Sequence, residues 1–213
     1  MQDPKNIIDC YNKTANNYAE HFKDELDKKH LDRILLSAFA SGNKNKGKLI
    51  DLGCGPGHTT QFLKEQGMKE VIGMDISPAM TDTAGSLNPG IEFFTGDMLT
   101  TGLAPGSFGS AIAFYAIVHF DHEHVLKAFR EVKRILIEGG EFLFSFHVGE
   151  QTLHLDSLLD HEVNIDFHFF DKNRIIELVT EAGFELIDAI ERAPYPDAEY
   201  ASNRAYIWVR AKE

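Results

Sequence analysis

Lys48-Leu49-Ile50-Asp51-Leu52-Gly53-Cys54-Gly55-Pro56-Gly57 is the stretch on which the fold turns. An apolar, strand-like run leads into three alternating glycines, and the helical pattern Thr60-Gln61-Phe62-Leu63-Lys64-Glu65 leads out. A strand that turns through glycines into a helix lets a ligand approach the backbone closely, because a Cβ would block that approach or forbid the dihedrals. Asp51 puts a carboxylate at the carboxyl end of the strand. A pyrophosphate would not welcome an acid there, whereas an ammonium or another cation would. The spacing is G-x-G-x-G, and His58 stands where a dinucleotide-binding loop has its third glycine.

Downstream, apolar runs at 48–52, 70–74, 91–95, 108–115 and 141–147 alternate with helical patterns at 59–66, 78–86 and 121–137. Short buried strands alternating with helices predict a parallel sheet covered on both faces. The 121–137 helix is the best marked. Asp121 suits its N-cap, Val125, Leu126, Phe129, Val132, Ile135 and Leu136 form one stripe, and Gly139-Gly140 follows as a stop. Asp171 opens a further helix carrying Ile175, Leu178, Val179 and Ala182, closed by Gly183. Strands near 184–191 and 203–211 follow, separated by the proline-interrupted 193–200 stretch. Upstream, Ile7, Ile8, Tyr11, Ala15, Tyr18, Ala19 and Phe22 recur at helical steps, as do Leu31, Ile34, Leu35 and Ala38. The expected organisation is one domain over 1–213. A helical cap or lid spans 1–46 and a cofactor-binding core 47–148. An insertion covers 149–170, and a C-terminal helix with a strand pair 171–213.

The chain has 213 residues and a net charge of −12, with 43% hydrophobic and 25% charged residues. The acidity lies after residue 48, where twelve Lys/Arg face twenty-six Asp/Glu, against nine and seven before it. An acidic body argues against a nucleic-acid partner, which needs a basic face, and suits a small neutral or cationic substrate. Cys10 and Cys54 show no framework or C-x-x-C spacing. No apolar run approaches the ~20 residues that span a bilayer, and the N-terminus lacks a signal-peptide core. A cytoplasmic protein without a membrane partner is expected.

Further acids follow the later strands. Asp75, in Gly73-Met74-Asp75-Ile76-Ser77, lies about twenty residues past the glycines, where an acid can accept both ribose hydroxyls. Asp97, in Gly96-Asp97-Met98, can accept from an adenine amine while Met98 and Ile76 sandwich the ring. Phe114-Tyr115-Ala116-Ile117-Val118-His119-Phe120 ends the fourth strand at the edge where ligands sit in such sheets. An acid at the loop, an acid on the ribose and a cationic ligand together point to S-adenosylmethionine, with its ammonium and sulfonium.

With these pieces the chain resembles the class I S-adenosylmethionine-dependent methyltransferases, in the small-molecule group of the ubiquinone/menaquinone-biosynthesis enzymes. Tyr11-x-x-x-Ala15-x-x-Tyr18-x-x-x-Phe22 also resembles a helix that many of these enzymes fold over the cofactor. The resemblance implies an α/β, Rossmann-like three-layer sandwich. Its seven-stranded sheet is mostly parallel with the last strand antiparallel, and an N-terminal helical cap is added. It implies methyl transfer to a small-molecule acceptor, releasing S-adenosylhomocysteine. The residues it assigns to the cofactor are Tyr18, Asp51, Gly53, Cys54, Gly55, Gly57, Asp75, Ile76, Met80, Asp97, Met98 and Tyr115. Where many relatives have Pro-Gly-Gly, this chain has Glu138-Gly139-Gly140.

His119 follows the fourth strand near where the transferable methyl should point, so it is the candidate base for an acceptor that must lose a proton. His168 is a weaker candidate of the same kind. Tyr11, Phe22, Tyr115, Phe167, Phe169 and Phe170 could together wall the site, since ring faces stabilise a sulfonium. His119, His122 and His124 cluster, and His147, His154, His161 and His168 recur every seven residues. Neighbours two apart share no helix face, and seven helical residues rise ~10 Å, so no metal is expected. Two other functions compete. One is a catalytically silent cofactor- or partner-binding module. The other is a nicotinamide-dependent oxidoreductase, disfavoured by Asp51 and His58.

Overall fold

The structure is a computed structural model and describes residues 2–196 and 198–213. In chain order, helices α1 (Pro4–Phe22), α2 (Glu25–Lys28) and α3 (His30–Asn43) precede β1 (Leu49–Leu52), α4 (His58–Glu65), β2 (Val71–Asp75), α5 (Pro78–Leu87) and β3 (Glu92–Thr95). Then come β4 (Phe108–Phe114), a 3-10 turn (Ile117–His119), α6 (His122–Ile135) and β5 (Leu136–His147). The chain finishes with β6 (Thr152–Leu158), β7 (His161–His168), α7 (Lys172–Glu181), β8 (Phe184–Arg192) and β9 (Arg204–Ala211).

The seven-stranded sheet has the order β3-β2-β1-β4-β5-β9-β8. The strands β3 to β5 run parallel, and β9 is antiparallel to both its neighbours. The chain leaves β1 for β2 on one side and returns to β4 on the other. That reversal opens a crevice at the carboxyl ends of β1 and β4, the place where ligands bind in such sheets.

Both faces are covered because β5 alternates. Phe142, Phe144 and Phe146 point to one side, where they meet Phe129 of α6, Leu178 of α7 and Phe184. Leu143 points to the other, with Phe39 of α3, Leu63 of α4 and Tyr206. Truncating a ring such as Phe129, fully buried, costs about 3–5 kcal/mol.

Three expectations are corrected. The 121–137 helix ends at Ile135, and Leu136 begins β5 opposite Phe108. Gly139, at φ 70, sits inside β5 where the register with β4 shifts, so the glycines mark a bulge and not a helix stop. Ile34, on the expected apolar stripe, is 63% exposed. The 149–170 insertion is an antiparallel hairpin, β6 with β7, and its strands carry His154, His161 and His168. Its two-residue loop, Leu159 (φ 49) and Asp160 (φ 66), has both residues left-handed, the geometry that matches strand twist in tight hairpins.

Helix α1 lies against α5 and β7. Side chains of α1 and of Gln2, two residues before it, reach the edge of the hairpin. Gln2 donates to the Asn164 carbonyl at 2.6 Å and accepts from the Asp166 amide at 2.9 Å. Lys13 and Asn17 donate to the carbonyls of Glu162 and Leu159, at 3.3 and 3.2 Å. At its middle, Asn12 accepts from the Ser77 hydroxyl at 2.7 Å and the Ala79 amide at 3.2 Å, tying α1 to the start of α5. Helix and hairpin thus roof the crevice together. Among the described residues, no helix is long and apolar enough to cross a membrane.

Candidate active site

A cavity of about 360 Å³ fills the crevice under this roof. Of the twelve expected cofactor residues, eleven line it: Tyr18, Asp51, Gly53, Cys54, Gly55, Asp75, Ile76, Met80, Asp97, Met98 and Tyr115. Gly57 does not; it caps α4 at φ 84. His119 and Phe167 also line the cavity, while Phe170 and His168 do not.

The glycine loop is shaped by close approach. Gly53 has φ 71, and a Cβ there would sit 2.5 Å from the Ala116 Cβ, so no other residue fits. Gly55 has φ 51, yet a Cβ built on it meets nothing within 4 Å, so the loop leaves room beside its backbone. Tyr115 is a tyrosine at φ 55, its amide facing the Ser145 carbonyl at 3.1 Å. Strain of that kind is held only where surrounding structure fixes it, and here it sets the ring at the cavity floor.

Asp51 is 1% exposed, and one of its oxygens accepts from the Thr60 hydroxyl at 2.7 Å. Its other oxygen accepts from none of the described residues. Burial pushes the carboxyl up to about 7; the Thr60 bond and His58 pull down, and nearby Asp75 pushes up again. An acid so placed gains most from a cation brought to it.

Asp75 is buried and accepts from the Gly55 and Ser77 amides, each at 2.9 Å. Burial pushes its carboxyl up, against those backbone bonds. A carboxylate has about four lone-pair sites, so two remain for hydroxyls. Asp97 is half-buried and accepts from the Leu99 amide at 2.8 Å, with Met98 buried beside it. Open space at Gly55, the unmet oxygen of Asp51 and the spare acceptors of Asp75 fit the ammonium and ribose of S-adenosylmethionine. Cys54 is buried with its thiol pushed well up, so it is a space-filling wall and not a nucleophile.

His119 is buried, and its Nδ1 lies 2.8 Å from the Asp166 carbonyl of β7. A carbonyl only accepts, so Nδ1 carries the proton. Nε2 therefore accepts, and the Tyr11 hydroxyl donates to it at 2.8 Å. Burial pushes the imidazole down to about 4, which keeps it neutral. The expected base is thus partnered by Tyr11, which itself lines the cavity. Spacing on α1 gave no sign of this pair, because the two residues are 108 positions apart.

A buried ionic cluster beyond Tyr115 was also not legible in the sequence. Lys29 pairs with Glu25 and lies 5.0 Å from the Tyr115 ring centre. Glu25 in turn meets His58 at 3.0 Å; burial pushes its carboxyl up, but His58 and Lys29 overcome this and hold it at about 2. Glu199 accepts from both Arg192 Nη atoms at 2.6 and 2.7 Å. Asp32 accepts from Arg192 at 3.0 Å and from the Tyr206 hydroxyl at 2.6 Å. Among the described residues, no group of three or more His, Cys, Asp or Glu is arranged to hold a metal ion.

Comparison with known proteins agrees with this geometry. The family described as "Methyltransferase domain" matches residues 49–140. An uncharacterized methyltransferase of Bacillus subtilis is 29% identical over 148 residues, covering 67% of this chain and 57% of that protein. A malonyl-[acyl-carrier protein] O-methyltransferase of Ilyobacter polytropus is 27% identical over 186 residues, 84% of this chain and 65% of that one. The chain therefore spans a little over half to about two thirds of these relatives. In fold it is similar to magnesium protoporphyrin IX methyltransferase from Synechocystis, solved with bound S-adenosylmethionine. The TM-score is 0.74 at 16% identity, covering 100% and 98% of the two chains. Residues 49–140 thus match the methyltransferase-domain family, and the fold as a whole is similar to that of a methyltransferase solved with S-adenosylmethionine.

Proposed function

We propose that the chain moves a methyl group from S-adenosylmethionine to a small-molecule acceptor held between Tyr115, His119 and the β6–β7 hairpin. The observation that carries this is one continuous cavity. At one end it offers Asp51, Asp75 and the open glycine backbone, and at the other a separate set of aromatic and polar side chains. The bound cofactor supplies an activated methyl carbon. The protein's part is placement and exclusion of water, and alignment can be worth several kcal/mol, up to ~7–11 in favourable cases.

Within this reading Asp51 receives the ammonium, Asp75 the ribose hydroxyls, and Asp97 with Met98 and Ile76 the adenine. Met80 and Cys54 close the wall behind it. Tyr18 and α1 form the lid, held down by Gln2, Lys13 and Asn17 on the hairpin edge. For an acceptor that carries a proton, Tyr11 takes it on its oxygen and passes its own to Nε2 of His119. Nδ1 keeps its proton on the Asp166 carbonyl throughout. An acceptor without a proton to lose needs no such step.

Isothermal calorimetry with S-adenosylhomocysteine tests the reading. Saturable binding, weakened in Asp51→Asn and Asp75→Ala, is expected. Absence of binding, or thermal protection by NADH in its place, overturns it. Binding without turnover on a broad acceptor panel returns the silent-module reading.

A further inference from the structure

One corner of the cavity has no part in holding the cofactor as just described. It lies beyond Tyr115, where β5 and β9 end beside each other and His147 pairs with Arg204. Arg204 is 2% exposed and lines the cavity. Its Nη1 donates to the carbonyls of Tyr200, at 2.7 Å, and Ser202. Among the described residues its Nε makes no hydrogen bond, although Glu199 stands 3.2 Å away, and Nη2 donates to none of them. Among the described residues, three of the five N–H donors of this buried guanidinium therefore have no acceptor.

The neighbouring acids are already taken. Glu199 is committed to Arg192 by two bonds, accepts from the Tyr195 amide at 2.8 Å and lies 3.6 Å from Lys29. Asp32 is bound by Arg192 and Tyr206, and Glu25 by Lys29 and His58. Glu199 thus faces three cations, and Arg204 stands 3.2 Å from it without a hydrogen bond between them. His147 lies beside it, with its Nδ1 2.8 Å from the Ser202 hydroxyl and its ring stacked on Phe169 at 5.0 Å. Burial, then the Arg204 and Lys29 charges, push His147 down to about 4, so it is neutral and adds no competing charge. Facing this corner is the apolar side of the hairpin, Leu153, Leu155 and Phe167.

We propose that this corner seats the carboxylate of the acceptor, with Arg204 as its anchor and an apolar or aromatic body lying against the hairpin. Two parallel oxygens match the planar donors of a guanidinium, and a buried charge lacking donors' partners gains most from such a ligand. The net charge of −12 therefore misdirects: the surface is acidic, but the cavity wall beyond Tyr115 presents a cation. The inference rests on the methyltransferase reading and adds a substrate class to it. The same carboxylate chemistry could come from the methionine tail of the cofactor, and the test separates the two sources.

Calorimetry on the full chain saturated with S-adenosylhomocysteine compares 3-phenylpropionate with 3-phenylpropanamide and 3-phenylpropylamine. The carboxylate is expected to bind at least about tenfold more tightly than either. In Arg204→Gln that preference disappears, while S-adenosylhomocysteine affinity stays within about threefold. Arg204→Lys, which keeps the charge, retains part of the preference and serves if the glutamine variant does not fold. No preference for the carboxylate in the wild-type chain overturns the proposal without touching the methyltransferase reading. So does a preference that survives in Arg204→Gln. Loss of S-adenosylhomocysteine binding in Arg204→Gln, with 5′-methylthioadenosine binding unchanged, assigns Arg204 to the cofactor tail and also overturns it. Failure of the wild-type chain to bind S-adenosylhomocysteine at all is a failure of the parent reading.

Discussion

The Tyr11 hydroxyl donates to Nε2 of His119 across 2.8 Å, while Nδ1 of the same ring is fixed on the Asp166 carbonyl. This pair joins three separate parts of the chain: α1, the turn after β4 and the hairpin. It also fixes one tautomer, because a carbonyl can only accept. Tyr11→Phe removes the donor and leaves a buried acceptor unmet, at a cost of about 1–3 kcal/mol. If the pair carries the acceptor proton, kcat falls about 100-fold in that variant with S-adenosylhomocysteine affinity within about threefold. Steady-state kinetics beside calorimetry check this, and an unchanged kcat reduces the pair to a structural tie.

If Asp51 receives the ammonium, cofactor affinity depends on pH. Its carboxyl stands near 7 in the folded chain, against 3.8 as the ordinary value. The folded state therefore holds the extra proton, and this contribution to stability is complete below about pH 4 and lost as pH rises through 7. A cationic ligand needs the ionised form, so the sign for binding is opposite. S-adenosylhomocysteine affinity should rise about tenfold per pH unit below 7 and level off above it. Asp51→Asn should remove that slope, and at pH 8 it should raise the melting temperature of the ligand-free protein. Calorimetry from pH 5.5 to 8.5 with thermal melts on both proteins measures each effect.

Asp75 and Asp51 should separate by ligand. Both Asp75 oxygens hold backbone amides, those of Gly55 and Ser77. Asp75→Asn turns one of these contacts into donor against donor, destabilising the loop by about 1–3 kcal/mol. It should weaken S-adenosylhomocysteine and 5′-methylthioadenosine alike, since both carry the ribose. Asp51→Asn should weaken only the first, which alone has the amino-acid tail. Equal losses for both ligands in both variants would contradict the assignment of roles.

What could be read from the chain followed the range of the interactions. The glycine loop, Asp75 and Asp97 each belong to a strand end and its turn, so local spacing exposed them. The α6 stripe of Val125, Phe129 and Val132 is a single-helix pattern and was equally plain. The hairpin was not read, although Leu153, Leu155, Ile165 and Phe167 alternate as a strand pair should. Its turn is Leu159-Asp160, without the Asn-Gly or Asp-Gly pair that announces such loops. Tyr11 with His119, and Lys29 and Asp32 with Glu199 and Arg192, depend on elements far apart in the chain. Charge counts over long segments hid the second group, because three buried cations and three buried acids nearly cancel.

The Arg192–Glu199–Asp32 network should behave as one unit. Glu199 is fully enclosed at its side chain, and Arg192 supplies two of its bonds and one to Asp32. Arg192→Met leaves both acids buried without their main partner, a loss of about 3–5 kcal/mol. Adding Glu199→Gln to that variant removes the stranded charge. The double variant should then be less destabilised than the sum of the singles by about 1–3 kcal/mol. Urea unfolding of the four proteins in the cycle measures the difference. Additive losses would mean that Arg192 and Glu199 contribute separately, and that the corner holding Arg204 is not braced by them.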